Sequence, residues 1–298
     1  MTVPPGYPPG PPVPPPYPQQ NLPVCVRHPD RPTGLRCVRC DRPACPQCLR
    51  EASVGYQCVD CVEEGRRTVR RPTTIAGAKL NTKLAVVPTL VVLNVLVFAA
   101  TAAQAGNIAA NDQSGLFDSW VLWPIGVVGF GEPWRLLTAG FLHFGPFHLA
   151  LNMLALWIIG RDIEPMLGRA RFLAVYLLAL LGGSAAVFVF DLPERDTAGA
   201  SGAVWGMMGA LLILILRLKL NPQPVIVVIA INVFISFLPG ISLFGHLGGF
   251  VAGVAATAAL VYAPRGRQLP VQVGALVTIG VVLLALIALR WAQLSAAL

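Results

Sequence analysis

From Leu84 onward the chain alternates long apolar runs with short polar breaks. Seven runs approach membrane-spanning length: about 84–105, 147–163, 170–190, 201–218, 223–238, 241–262 and 271–291. A spanning helix needs roughly 20 residues at about 1.5 Å each, so each run is read as one span and the fifth as the shortest. The pattern predicts an all-α polytopic membrane protein. Before Leu84 the pattern changes. Residues 1–24 carry 11 prolines among Gly, Tyr and Gln, a composition expected to be a disordered or polyproline tail. Residues 25–61 hold every cysteine, and residues 62–83 are polar and basic.

Composition agrees with the pattern. Charged residues make up 12% of 298, about half of what a soluble domain carries. Hydrophobic residues make up 55%, and the mean hydropathy is +0.66. The net charge of +8 suggests cytoplasmic loops before it suggests nucleic acid. With the N-terminus inside, the inner breaks hold Arg161, Arg169, Arg171, Arg217, Lys219, Arg265 and Arg267, against Arg135, Arg195 and Arg290 outside. Six more basic residues lie at Arg66, Arg67, Arg70, Arg71, Lys79 and Lys83, a linker suited to an anionic lipid surface. The expected location is therefore a plasma (inner) membrane with a cytoplasmic N-terminus. No apolar stretch follows Met1 to suggest a cleaved signal. No basic–aromatic groove supports nucleic-acid binding.

The metal candidates come in pairs with two-residue gaps: Cys25/His28, Cys37/Cys40, Cys45/Cys48 and Cys58/Cys61. Eight such ligands suffice for two tetrahedral Zn²⁺ sites, and closed four-ligand sites are structural rather than catalytic. A reducing compartment argues against disulfides. The gaps define the pairs but leave the connectivity open between tandem and cross-braced. The pattern resembles a B-box-like double zinc finger, and that resemblance implies cross-bracing. Cys25, His28, Cys45 and Cys48 would then share one ion, and Cys37, Cys40, Cys58 and Cys61 the other. A cytoplasmic protein is a candidate partner for this module.

Three histidines remain, His143, His148 and His246, all in or beside apolar runs, where ionisable groups are costly and default to function. Ser201 sits in Gly199-Ala200-Ser201-Gly202 as the chain enters the fourth run. Serine there is either a helix N-cap or a reactive hydroxyl made approachable by small neighbours. Gly202, Gly206 and Gly209 on one run and Gly245, Gly249 and Gly253 on another form small-residue stripes that let two helices pack closely. Such packing could bring Ser201 to His246, which would act as general base. No carboxylate lies at that depth, since Asp162 and Glu164 fall on the cytoplasmic side and Asp191, Glu194 and Asp196 in the outer loop, so the chemistry would run on a Ser–His dyad. Trp205, one turn after Ser201, could stack on the imidazole or simply fill the core. His148 and Asn152 share a helix face and offer donors for an oxyanion, as does the backbone N–H of Ser201. His143 is assigned a water-access or structural role.

The segment from about 84 to 265 resembles the rhomboid intramembrane serine proteases. The matching pieces are Gly199-Ala200-Ser201-Gly202, His246 with Gly249 and Gly253, His143 with His148 and Asn152, and the Trp134-Arg135 pair. The resemblance implies a six-helix catalytic bundle, Ser201 as nucleophile and His246 as base. It implies an oxyanion hole of His148, Asn152 and the Ser201 amide, and a structural loop role for Trp134-Arg135. Substrates would be single-span membrane proteins, and catalysis would need no cofactor. The run at 271–291 adds a seventh span after the core, within 266–298. Many members carry Tyr where Trp205 stands. An inactive, client-binding relative is the alternative reading, and a proton- or metal-relay transporter lacks midplane carboxylates.

Overall fold

The computed structural model describes residues 22–69, 72–81 and 83–297. The proline-rich stretch up to residue 21, and Arg70 and Arg71 of the basic segment, lie outside the described residues. The chain divides into two compact units, with the boundary after residue 71.

The N-terminal unit is small and held by side-chain clusters rather than by a large core. Strands β1 (Val24–Cys25) and β2 (His28–Pro32) pair antiparallel, as do β3 (Leu49–Glu51) and β4 (Tyr56–Cys58). Helix α1 (Val59–Thr68) follows directly, with Cys58 as its N-cap, accepting from the Cys61 N–H. Six of its eight buried apolar residues are cysteines. Two β-ribbons this short supply little apolar burial of their own, so the cysteines take the place of a core.

The second unit is all helix. α2 (Val86–Ala105) leads into a loop with three short helices, α3 (Gly115–Trp120), α4 (Pro124–Gly129) and α5 (Arg135–Thr138). Six long helices follow: α6 (Gly145–Leu167), α7 (Arg169–Phe190), α8 (Ser201–Arg217), α9 (Gln223–Ile235), α10 (Leu243–Val261) and α11 (Gln268–Ser295). The seven long helices coincide with the seven apolar runs. By length and composition α2, α7, α10 and α11 can cross a membrane alone. The α5 region meets α6 at 91°, so the loop turns sharply away from the helix it feeds. α8 and α9 are short apolar helices, spanning about 26 and 20 Å at 1.5 Å per residue.

The helix ends extend the sequence reading. Arg161, Asp162 and Glu164, expected in an inner break, belong to the last turns of α6. Glu164 is buried, and its carboxylate accepts from the N–H groups of Ala85, Val86 and Val87 at 2.8–3.0 Å. It thereby satisfies every amide that the start of α2 leaves free, since the fourth position is Pro88, which has no N–H. The end of the basic segment is also ordered within this unit. Thr74 and Ala78 close a turn, and the carbonyl of the fully buried Ala76 accepts from Gln272 of α11.

Helices α7, α8 and α10 form the centre of the bundle, and glycine brings them into backbone contact. A Cβ at Gly249 would run into the Gly202 carbonyl, and one at Gly253 into Gly206. A Cβ at Gly183 of α7 would lie 2.7 Å from the Gly245 carbonyl oxygen. Without a hydrophobic effect between helices in lipid, such close approach supplies the dispersion contacts that hold them together.

Arg135 organises the loop between α2 and α6. Its guanidinium is buried, donates to the carbonyls of Asp118 and Val121, and pairs with Glu132 at 2.5 Å. Beside it, the indole of Trp134 donates to the Ser119 carbonyl at 3.2 Å, and Thr138 Oγ1 to that of Trp120 at 3.0 Å. Replacing Arg135 by Met leaves Glu132 and two carbonyls unsatisfied. The expected cost is about 2–4 kcal/mol, read as a lowered unfolding midpoint in detergent.

Candidate functional site

The loop before α8 is anchored on both sides. Leu122 and Thr197 exchange backbone hydrogen bonds at 3.1 and 2.9 Å, and the Gly199 N–H donates to the Ala139 carbonyl at 3.0 Å. Gly199 has φ +133°, a conformation open to glycine, and a Cβ there would lie 3.0 Å from His148 Nε2. The loop therefore brings the chain edge-on to the His148 ring just before Ser201. α8 begins at Ser201 with Ala200 as its N-cap, so Ser201 is not the cap that a serine at this place could have been. As the first helical residue its N–H has no partner within the helix.

One cavity of about 880 Å³ is lined by Ser201, His246, His148, Asn152, Gly199 and Trp205, among others. Every residue assigned to the catalytic machinery from the sequence faces this single space. Among the described residues, Ser201 and His246 make no hydrogen bond to each other. Catalytic contacts commonly tighten only when substrate is bound.

The His246 ring is fixed from two sides. Trp205 stacks on it with centroids 5.0 Å apart at 20°. Such a stack restricts rotation of the imidazole about its own axis and contributes about 0.5–1.5 kcal/mol beyond area burial. Its Nδ1 lies 2.7 Å from the hydroxyl of Ser236, the residue that ends α9. Ser236 was not among the residues singled out from the sequence. The signal for it is faint: one hydroxyl at the end of an apolar run, three residues before Pro239.

His148 is held differently. Its Nδ1 accepts from the Phe144 N–H at 3.2 Å, with the Phe144 ring nearly parallel at 8°. A neutral imidazole that accepts at Nδ1 carries its proton at Nε2. That Nε2–H is the nitrogen nearest Gly199, on the side of Ser201. Asn152 spends one amide proton on the His148 carbonyl at 3.0 Å and keeps the other. The ring of His143 is fully buried and meets His148 edge-on at 5.1 Å. Its backbone carbonyl is gripped by Asn111, whose side chain also accepts from the Gly145 N–H. His143 and Asn111 thus brace the start of α6, which carries His148.

The eight Cys/His residues of the N-terminal unit form two clusters: Cys25, His28, Cys45 and Cys48, and Cys37, Cys40, Cys58 and Cys61. This is the cross-braced grouping, one-three and two-four. All seven cysteines are free thiols. His28 Nδ1 lies 3.8, 3.4 and 3.3 Å from the sulfurs of Cys25, Cys45 and Cys48, and Cys40 lies 3.7 Å from Cys58. Tetrahedral Zn²⁺ with bonds of about 2.3 Å to sulfur and 2.0–2.1 Å to nitrogen requires edges of roughly 3.8 and 3.6 Å. The donor set and spacing fit that ion. Hydrogen bonds from backbone N–H groups, that of Cys45 first, draw the Cys25 thiol down to about 6, which favours its thiolate near neutrality, the form that a metal would need.

Residues 131–263 match the family profile described as Rhomboid domain. The chain is 44% identical over 140 residues to Rhomboid protease GluP of Bacillus subtilis (strain 168), covering 45% of this chain and 27% of that protein. It is 35% identical over 147 residues to Putative rhomboid protease YdcA of the same organism, covering 45% of this chain and 74% of that protein. It is also 33% identical over 148 residues to Inactive RHOMBOID-like protein 8 of Arabidopsis thaliana, covering 47% and 41%. The chain spans 27% of Rhomboid protease GluP and 42% of RHOMBOID-like protein 5 of Arabidopsis thaliana, well short of their full lengths. With an extended match to a relative most of whose length it covers, and with the helices and cavity described above, the chain belongs to the rhomboid family.

Proposed function

We propose that this protein is an intramembrane serine endopeptidase that cleaves transmembrane segments of single-span membrane proteins, with Ser201 as nucleophile and His246 as general base. The observation that carries the reading is the convergence of Ser201, His246, His148 and Asn152 on one cavity. Ser201 Oγ attacks the scissile carbonyl carbon while His246 takes its proton. The oxyanion develops opposite three donors: the His148 Nε2–H, the free amide proton of Asn152 and the Ser201 N–H at the positive end of α8. As the tetrahedral intermediate collapses, the imidazolium gives its proton to the departing amine. Water then enters the cavity, His246 deprotonates it, and it releases the acyl group from Ser201. The nucleophile sits among apolar helices, so the substrate must offer an unwound, extended stretch of backbone. Small or helix-breaking residues near the cut are therefore expected.

The basic residues flanking the inner ends favour a cytoplasmic N-terminus and an orientation in which Ser201 lies toward the outer face. The test is cleavage of a panel of single-span reporter helices by purified protein in detergent. Cutting of at least one helix supports the reading. Survival of the whole panel, together with no reaction with a fluorophosphonate, favours the alternative of a catalytically inactive, client-binding protein; one relative is itself named inactive.

The N-terminal clusters would hold two Zn²⁺, one in each four-residue set, which supply cross-links that a module of this size needs. Purified protein is expected to carry two zinc ions per chain by elemental analysis. Cys45→Ser should lower the count to about one, and Cys45→Ser with Cys58→Ser to about zero. Retention of two ions in Cys45→Ser would break the assignment. A cytoplasmic partner remains the natural client for this module.

A further inference from the structure

We propose that Ser236 is a positioning residue for His246, setting its tautomer in the place where a triad enzyme uses a carboxylate. This rests on the reading of His246 as the general base.

The argument is a count of protons. Ser236 Oγ lies 2.8 Å from the carbonyl oxygen of Asn232 and 2.7 Å from Nδ1 of His246. A carbonyl oxygen can only accept, so the single hydroxyl proton must occupy the first contact. The second contact then needs a proton from the ring. The neutral imidazole therefore carries its hydrogen on Nδ1 and presents a bare lone pair at Nε2. The opposite arrangement, with Ser236 donating to Nδ1, would leave two oxygen lone pairs facing each other at 2.8 Å. Ser236 is 2% exposed and His246 8%, so bulk water does not offer a substitute partner.

A base that is to take the Ser201 proton through Nε2 needs this tautomer. The chain also carries its counterpart. His148 accepts at Nδ1 from the Phe144 N–H and so keeps its proton on Nε2. The two imidazoles that line the cavity are locked in opposite tautomers by two local partners, one as acceptor and one as donor. When His246 becomes cationic it still donates to Ser236, and the hydroxyl passes the polarisation on to the Asn232 carbonyl. The helix that delivers Ser236 buries none of its own residues between Gln223 and Ile235. Its buried contribution is made at its C-terminal end, by the hydroxyl on the base.

The experiment compares wild type, Ser236→Ala and Ser236→Thr in the full chain. It reads ¹⁵N NMR of the labelled histidine rings and the rate of Ser201 modification by a fluorophosphonate. A His246→Ala sample assigns the ring signals. In wild type, His246 is expected to show a protonated Nδ1 and a bare Nε2. Ser236→Ala should mix the two tautomers and slow modification and peptide cleavage about 10–100-fold, with KM for a reporter helix little changed. Ser236→Thr, which keeps the hydroxyl, should retain the wild-type tautomer and most of the rate. Unchanged His143 and His148 signals in Ser236→Ala show that the fold persists. A wild-type His246 protonated at Nε2, or a Ser236→Ala rate within about twofold of wild type, overturns the proposal. A wild type with the expected tautomer that neither reacts nor cleaves would overturn the protease reading and leave the tautomer assignment standing.

Discussion

Ser201→Ala is expected to abolish cleavage of every reporter helix that the wild type cuts, a loss of at least about 10³-fold. The substitution removes one oxygen from the first residue of α8 and no helix-capping hydrogen bond, since Ala200 is the cap. Its effect on stability should therefore be small, and the variant should unfold at nearly the wild-type temperature. His246→Ala should lose activity by a similar factor, although here the Trp205 stack and the Ser236 bond are also lost. The double variant should be no worse than either single one, because the two groups act in the same step and their effects do not add. Cleavage rates of purified variants, with fluorophosphonate labelling as a second readout, decide the matter. Residual activity within tenfold of wild type in Ser201→Ala would mean that another nucleophile acts.

The second large effect is on the fold. Gly253→Val is expected to prevent assembly of the bundle. A Cβ at Gly253 would meet the Gly206 carbonyl oxygen, with the Gly206 Cα at 2.5 Å and its carbonyl carbon at 2.6 Å. These are backbone atoms of a packed helix, and no rotamer change relieves them. Overpacking usually costs about 1–3 kcal/mol, and here α8 and α10 would have to separate along their length. Since Gly249 makes the same kind of contact with Gly202, the separation would also carry His246 away from Ser201. Size-exclusion chromatography and thermal unfolding in detergent provide the check. Gly266→Val, at a position where a Cβ has open space, is the control expected to leave both unchanged.

The long helices were legible because a span of apolar residues has one stable arrangement in lipid, the helix. Ser201, His246, His148 and Asn152 could be named from their residue types and from the small-residue stripes, because membrane depth is itself a coordinate that the chain position supplies. The cysteine pairs were legible from their two-residue gaps, but the choice between tandem and cross-braced pairing was not. That choice depends on how the two β-ribbons fold against each other, which the gaps do not encode. Ser236 was invisible for a different reason. A serine at a helix end can bond back to its own i−4 carbonyl, as this one does, and nothing in that local pattern announces a partner ten residues later on α10. Glu164 was read as an inner-face charge. Its burial is set by the start of α2, whose free amides are a property of the helix and not of any residue type.

That carboxylate has a consequence for how the chain is made. The amides of Ala85, Val86 and Val87 wait for an acceptor that lies 77–79 residues further along. At about 5–20 residues per second, translation takes roughly 4–16 s to deliver Glu164. Until Glu164 is made, the first long helix lacks this acceptor at the beginning of its hydrogen-bond ladder, and water is the partner at hand. Its upstream end must therefore stay hydrated at the membrane surface until α6 arrives. The order of synthesis and the order of consolidation then differ: the first helix to be made is among those completed only after a later one has been inserted.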